Sequence, residues 1–515
     1  MEQEDFFNDI TPEQNPNPPI EDVIFISEME FAYGLWLFEF DKSKKPLLNG
    51  LYRNGIVSRL ETLGYYKRYR DNNSYIFIKE QYNIIQEVEP EMMKDEFFNL
   101  VKSISDILEF EYGEQLICVQ PEKLRETFLR QSHLIFNETF LEHLTTHIKP
   151  ILRDTKDEAF FFFKNQIIKV TKNGSQPLEY SAITKECIWR TQIIDHGFNY
   201  ITNNENCHFG KFIINVSNNE PERLFAFFSA IGYLLHNFTE PSKGQAVIAY
   251  DEEITDIKNP MGGTGKGLLA NAIKQLRNVV KVDGKRFDPQ DKFRYQEIKE
   301  DTQVFWLDDA KSDLGFEVFH SILTDGMNIE HKHKTTFIIK PENSPKMFIP
   351  KNSIFNGNGT TNKRRQFIIE FSNHYSKQIK IGNEQPIINE HGCTFFDKND
   401  WDLLEWNKFF SYMLDCVQKY LQDGLQSYVP KGLHKNRLIQ STNEDFYNWV
   451  EAQNFEVGKQ YDTKETFSVF KNLYYPESDF KQRSFSNWLK YFADSKNWKL
   501  VIKSSSNIQY FSFSG

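Results

Sequence analysis

Apolar and polar positions follow different periods in different parts of this chain, and the changes of period divide it. Residues 1–20 carry Asn, Pro, Glu and Gln with little apolar content, the composition of a mobile tail. Over Gly55–Gly64 apolar residues recur at helical spacing and stop at Gly. Tyr65–Tyr69 and Tyr75–Ile78 then read as two strands joined by a polar turn at 70–74. Helix followed by hairpin is a winged-helix-like pattern, and a plain α+β core answers to it too. Residues 121–150 predict helix, with Leu124, Phe128 and Ile135 on one face and Leu141, Leu144 and Ile148 repeating in a second helix. Phe160–Phe163, the turn Lys164–Asn165 and Ile167–Val170 predict a hairpin, and Pro221–Leu235 a helix.

From about residue 236 the pattern changes to short continuous apolar runs. Ala246–Tyr250, Val304–Leu307 and Pro345–Ile349 read as buried strands, with a helix over Leu268–Leu276 after the first. Strand, loop, helix, strand is the order of a mostly parallel α/β sheet. Trp401–Leu421 predicts a long helix with Gly424 as its stop. Residues 441–515 then predict helices at Asp445–Gln453, Lys464–Leu473 and Ser484–Phe492, and strands at Trp498–Lys503 and Ile508–Phe513 joined by a turn at 504–507. Three helices and a hairpin is a winged-helix layout. Arg483, Asn487 and Lys490 lie on the third helix and its approach, where DNA can meet them. A packing or oligomerisation domain would have the same layout.

Composition narrows the class. The 515 residues allow three or four domains, and 47 Phe supply ample core. No apolar run is long enough to span a membrane, and the acidic start lacks the basic flank of a secretion signal. The five cysteines are scattered without a Cys-x-x-Cys pair, against both a zinc ribbon and a disulfide framework. These features predict a soluble, cytoplasmic protein. The net charge of −11 argues against a uniformly basic surface for DNA, but not against basic groups gathered in one groove or pore.

Two segments carry chemistry. In Asn259–Gly267, Gly262, Gly263, Thr264 and Gly265 form a loop whose backbone N–H groups can wrap a phosphate chain, and Lys266 can neutralise the β- and γ-phosphates. The helix N-terminus behind the loop adds partial positive charge. Pro260 stands where the usual phosphate loop has its first Gly, and Gly267 where it has a Mg²⁺-binding Ser or Thr. About forty residues on, Val304–Leu307 ends in Asp308-Asp309. A charged pair closing a buried strand calls for compensation, such as a metal. Asp308 is the expected Mg²⁺ ligand, and Asp309 the group that orients or deprotonates the attacking water. A glycine loop with a chance lysine, and a strand ending in a solvated turn, are the plainer readings of each alone.

Four segments in order resemble the superfamily 3 helicases of the AAA+ class, especially the helicase part of poxvirus-type primase–helicases found in phages and integrated elements. They are Gly262–Lys266, Phe305–Asp309, Gly326–Phe337 and Lys346–Asn352. The resemblance covers about residues 245–375. It implies a P-loop α/β domain over 236–440 that uses ATP and Mg²⁺. An N-terminal α+β region would precede it over 21–115, then a helical and strand linker or collar over 116–235, with the winged-helix-like domain following over 441–515. It implies that the third segment is a hairpin reaching DNA in a ring's pore, with Lys332, His333 and Lys334 as contacts. Asn352 becomes the polar sensor of the γ-phosphate. Arg364 and Arg365 hold an arginine finger given to a neighbouring subunit, with Arg365 slightly favoured. The expected activity is ATP-dependent unwinding by a replicative helicase of a phage or mobile element. The expected partners are single-stranded and forked DNA, further copies in a homo-hexamer, and a separate primase or polymerase, with no membrane. Gly267 keeps open a non-hydrolysing DNA-binding ring or scaffold. A nucleotide kinase fits poorly, since Leu268 stands where such kinases have Thr.

Overall fold

The computed structural model describes residues 34–40, 46–70, 74–112, 115–202, 204–240, 243–253, 263–332, 336–355, 360–496, 498–505 and 508–515. The expected tail at 1–20, Gly262, His333 and Lys334 lie outside the described residues.

The centre is a five-stranded parallel sheet in a mixed α/β fold. Its strands are β1 (Ala246–Asp251), β2 (Val279–Asp283), β3 (Val304–Asp308), β4 (Lys346–Pro350) and β5 (Gln366–Phe371), in spatial order β2-β3-β4-β1-β5. Every residue of β1 is buried because both faces are covered. Val247 and Ala249 join a core with the helices His208–Val216, Pro221–Leu235 and Leu403–Asp423. Ala246, Ile248 and Tyr250 face the other way, into a core with Phe305, Leu307, Phe316 and Ile349. Because all five strands run the same way, Asp251, Asp308 and the residues after Pro350 emerge on one rim, the edge where open parallel sheets bind ligands.

The sequence readings hold for β1, β3 and β4. They miss β2, an edge strand whose Val-Val-Lys-Val-Asp run is half exposed and so never forms a continuous apolar stretch. The long helix is capped by Asp402, whose side chain accepts from Glu405 N at 2.7 Å, and ends at Gly424. It packs closely on Pro221–Leu235, where a Cβ on Gly232 would stand 2.2 Å from the Cys416 carbonyl oxygen.

N-terminal to the sheet the chain is α+β. Helix Arg53–Thr62 leads into a sheet ordered Ile188–Trp189, Ile84–Val88, Tyr75–Gln81, Tyr65–Tyr69. A second sheet orders Gly174–Leu178, Gln166–Thr171, Glu158–Phe163, Ile193–Ile194 and contains the predicted Phe hairpin. The expectation of helix through 150 is corrected. Helix Pro121–Gln131 and a short turn over Glu138–Leu141 form, but the chain then runs beside the first sheet, with Thr146 bridged to Lys67. Leu141 and Leu144 are buried as a helix face requires, whereas Ile148 is 87% exposed. Pro150 follows it and disfavours helical backbone before it.

A buried polar knot ties the second sheet to the base of the parallel one. Arg277 donates to Leu235 O at 2.7 Å and Phe160 O at 2.8 Å, and pairs with Asp154 at 3.0 Å.

At the C-terminal end lie helix α2 (Gly432–Ser441), helices Glu444–Ala452 and Thr463–Tyr474, and α3 (Gln482–Ser495). A three-stranded antiparallel sheet ordered Gln460–Asp462, Ile508–Ser514, Lys499–Ser505 packs on them. α2 and strand Gln460–Asp462 are additions to the predicted three helices and hairpin. α3 buries Phe485, Leu489 and Phe492, leaving Arg483, Asn487 and Lys490 exposed on its other side. Among the described residues no helix is long and apolar enough to cross a membrane.

Candidate active site

At the rim, Asp251 ends β1 and is 5% exposed. Its Oδ1 accepts from Thr264 Oγ1 at 2.6 Å and its Oδ2 from Lys266 Nζ at 2.5 Å. The same amine donates to Asn352 Oδ1 at 2.9 Å, and Asn352 Nδ2 donates to Asp309 Oδ1 at 3.1 Å. One continuous polar chain, Thr264–Asp251–Lys266–Asn352–Asp309, thus joins the glycine loop, the acidic pair and the Asn segment.

The loop's geometry requires glycine where it is tightest. Gly263 has φ +93° and Gly265 φ +102°. A Cβ on Gly265 would lie 2.5 Å from Phe212 Cε2, and one on Gly263 would lie 2.3 Å from Ile379 Cδ1. Helices His208–Val216 and His374–Lys380 therefore press on the loop from the side. Gly265 caps helix α1 (Lys266–Lys274), whose first N–H groups open toward the rim. Gly267 differs from the other two, for a Cβ there would meet no atom within 4 Å.

Each acid of the pair meets a lysine. Lys281 Nζ, from β2, lies 2.7 Å from Asp308 Oδ2, and Lys285 Nζ, just beyond β2, lies 2.7 Å from Asp309 Oδ2. The side chains of Asp308 and Asp309 are 34% and 38% exposed. Two lysines and solvent compensate the charge of this pair. Asp309 in turn raises the Lys285 amine above its ordinary pKa. Asp309 has φ +53°, a left-handed conformation uncommon for Asp.

Lys351 holds that turn from beneath. It is fully buried and donates to Ala310 O at 3.2 Å, Ser353 Oγ at 2.7 Å and Lys311 O. Burial pushes its pKa down to about 8. The loop after the acidic strand is thereby fastened to the segment that carries Asn352.

Among the described residues no group of three or more His, Cys, Asp or Glu side chains converges as a metal cage. Two carboxylates at an open rim suit a cation that keeps several waters and shares phosphate oxygens, as Mg²⁺ does.

Two sets of predicted residues lie elsewhere. Arg364 and Arg365 end a short helix, Thr360–Arg365, that enters the start of β5. They sit at the opposite edge of the sheet, roughly 20 Å away by the rise of a six-residue strand. Arg365 Nη1 donates to His320 O at 3.1 Å, whereas Arg364 is exposed and its guanidinium meets no described residue. Met327–Ile329 and Phe337–Ile339 pair as the predicted antiparallel hairpin, burying Met327, Ile329, Phe337 and Ile339. Lys332 is exposed beyond the first strand. The His331 ring stacks on Phe337, and the Arg70 guanidinium lies 4.2 Å from the Phe337 ring centroid.

Sequence reasoning missed Asp251 and Lys351. Asp251 carries the same signal that exposed Asp308: the apolar run Ala246–Tyr250 also ends in acid. For Lys351 there is no such signal, since a buried lysine among carbonyls looks like any strand-end lysine.

No family model and no curated protein matches the chain. Among solved structures, the apo A form of the NrS-1 C-terminal region is similar at 12% identity, TM-score 0.38, over 89% of this chain and 99% of that one. A shorter piece of that region, 305–718, covers 70% of this chain and 96% of its own at 12% identity and TM-score 0.32. JCV helicase, bound to a thiazolopyridine compound, is 13% identical at TM-score 0.25, over 48% of this chain and 64% of that one. These likenesses are too distant to bear on the site, which is read from its own geometry.

Proposed function

We propose that this chain is an ATP-hydrolysing DNA helicase of the superfamily 3, AAA+ type, which assembles as a ring and moves along single-stranded DNA. The observation that carries this reading is the Lys266 amine, held between Asp251 and Asn352 while Asn352 also holds Asp309. An ammonium has three N–H donors, and among the described residues two are engaged, which leaves a third to meet a phosphate oxygen. The backbone of Gly263–Gly265 and the start of α1 provide further donors for the phosphate chain. Mg²⁺, bound through Asp308, would neutralise phosphate charge. Asp309 orients the attacking water and takes its proton, and Asn352 fixes Asp309 relative to Lys266.

We assign the finger to Arg364, because Arg365 is occupied by His320 of its own chain. From the far edge of the sheet Arg364 can serve only a neighbour's site, which supports a ring, taken as a homo-hexamer. The hairpin with Lys332 grips DNA, and the winged-helix-like unit over 441–515 binds duplex DNA or a partner through the α3 face. The chain would act in replication of a phage or mobile element, in the cytoplasm, beside a separate primase or polymerase. The domain limits remain those read from the sequence.

The test is Mg²⁺-dependent ATP hydrolysis with and without single-stranded DNA, for wild type and Lys266→Ala. DNA-stimulated turnover lost in the variant is expected. An assembled ring that binds DNA without turnover would favour the scaffold, the reading that Gly267 motivates.

A further inference from the structure

Helix α2 grips the rim from outside. Asn436, 1% exposed, donates through Nδ2 to the carbonyl oxygens of Asp251 and Glu252, both at 3.0 Å. One turn on, Gln440 makes a two-way bond with the backbone of Ile354: Ile354 N donates to Gln440 Oε1 at 2.8 Å and Gln440 Nε2 donates to Ile354 O at 3.0 Å. Ile354 lies two residues after Asn352. At the start of α2, a Cβ on Gly432 would stand 2.1 Å from Glu252 O, so the helix approaches as closely as a glycine permits. One ten-residue helix therefore holds the end of β1, with Asp251, and the segment after β4, with Asn352.

The same helix belongs to two cores. Leu433 packs in the core beneath the parallel sheet, and Leu438 packs with Phe446, Trp449 and Phe485 of the C-terminal unit. α2 also packs on α3, whose outer side exposes Arg483, Asn487 and Lys490. A helix of this length is a rigid rod of about 15 Å. Movement of the C-terminal unit on binding a ligand cannot be absorbed by a loop before it reaches Asn436 and Gln440.

We propose that Asn436 and Gln440 are positioning residues of the nucleotide site, through which the C-terminal unit sets the spacing between Asp251 and Asn352. This rests on the proposed ATPase reading. Asn352 and Asp251 are the two acceptors of the Lys266 amine, so a shift of either moves that amine and, through Asn352, Asp309. The consequence for the reaction is a loss of turnover much larger than any change in nucleotide affinity, because the phosphate-wrapping backbone of Gly263–Gly265 is untouched.

The experiment uses the full chain. Gln440 is half-buried, so Gln440→Ala should fold, and Asn436→Ala is examined beside it. Expected for Gln440→Ala are a kcat at least tenfold lower, a nucleotide Kd within threefold of wild type, and loss of the stimulation by DNA. A wild-type kcat, or a loss matched by an equal loss of nucleotide affinity, would overturn the proposal. If wild type shows no turnover at all, the ATPase reading fails separately, and amide hydrogen exchange on nucleotide-free protein decides the inference. Lys266→Ala should then lower protection across 436–441 at least threefold, and unchanged exchange there would overturn it.

Discussion

Lys266 and Asp251 form a buried ion pair at 2.5 Å, with side chains only 11% and 8% exposed, at the end of the strand that precedes the glycine loop. Removing one partner strands the other. Lys266→Ala should therefore cost on the order of 3 kcal/mol in denaturant unfolding, and the double variant with Asp251→Asn should recover most of it. Additive losses would mean that the two groups do not compensate each other. In turnover, Lys266→Ala should fall at least about a hundredfold.

Gly267 occupies the second position of α1 and faces open space. Gly267→Ser should fold, gain roughly 0.5 kcal/mol of helix stability, and place a hydroxyl where the usual phosphate loop has one. A Mg²⁺ titration of ATP turnover should show half-saturation at a lower concentration. An unchanged midpoint would place the ion away from this position.

The two arginines separate by what they touch. Arg364→Ala should leave the unfolding midpoint and nucleotide affinity unchanged and lower turnover of the assembled protein about 10³-fold. Arg365→Ala should instead cost about 1 kcal/mol through its lost bond to His320 O. Reversed outcomes would return the finger to Arg365.

Lys332→Ala combined with His333→Ala should abolish unwinding of a forked substrate while nucleotide binding stays at the wild-type level. Equal unwinding by the double variant would remove the hairpin from the DNA path.

Glu370, near the end of β5, is 1% exposed, and burial pushes its pKa up from 4.5 to about 7 against the pull of Gly432 N–H and Arg223. A carboxyl whose folded pKa is raised contributes stability in full below pH 4.5, and loses it as pH rises through 7. Glu370→Gln should match wild type near pH 4.5 and be more stable by on the order of 3 kcal/mol at pH 8. Parallel pH–stability curves for the two proteins would show that Glu370 does not titrate in this window.

The strands that could be read from the sequence are those whose burial leaves a local trace. β1, β3 and β4 are covered on both faces and are written as unbroken apolar runs; β2 is half exposed at the edge and is not. The long helix is bounded by Asp402 and Gly424, both local signals. Leu144 and Ile148 misled because apolar spacing alone cannot tell a helix from a chain lying along a sheet, and Pro150 was the signal to weigh. At the site, Lys266 could be singled out in the glycine loop, Asp309 at a strand end, and Asn352 only through the resemblance. The part played by Asp251, and the lysines that neutralise the acidic pair, depend on which strands become neighbours. Sheet order is a property of the whole domain, written in no single segment.

The parallel sheet gives each subunit two unlike edges, with Lys266 at one and Arg364 at the other. On the proposed reading, a complete site needs the lysine edge of one copy against the arginine edge of the next. A two-fold dimer pairs like surface with like and cannot build it. Assembly is then head-to-tail, and one impaired copy touches two sites, spoiling one by its missing lysine or the other by its missing arginine. Mixtures of Lys266→Ala and Arg364→Ala protein would contain some interfaces with both groups intact, so two inactive preparations would together regain part of the turnover that each lacks alone.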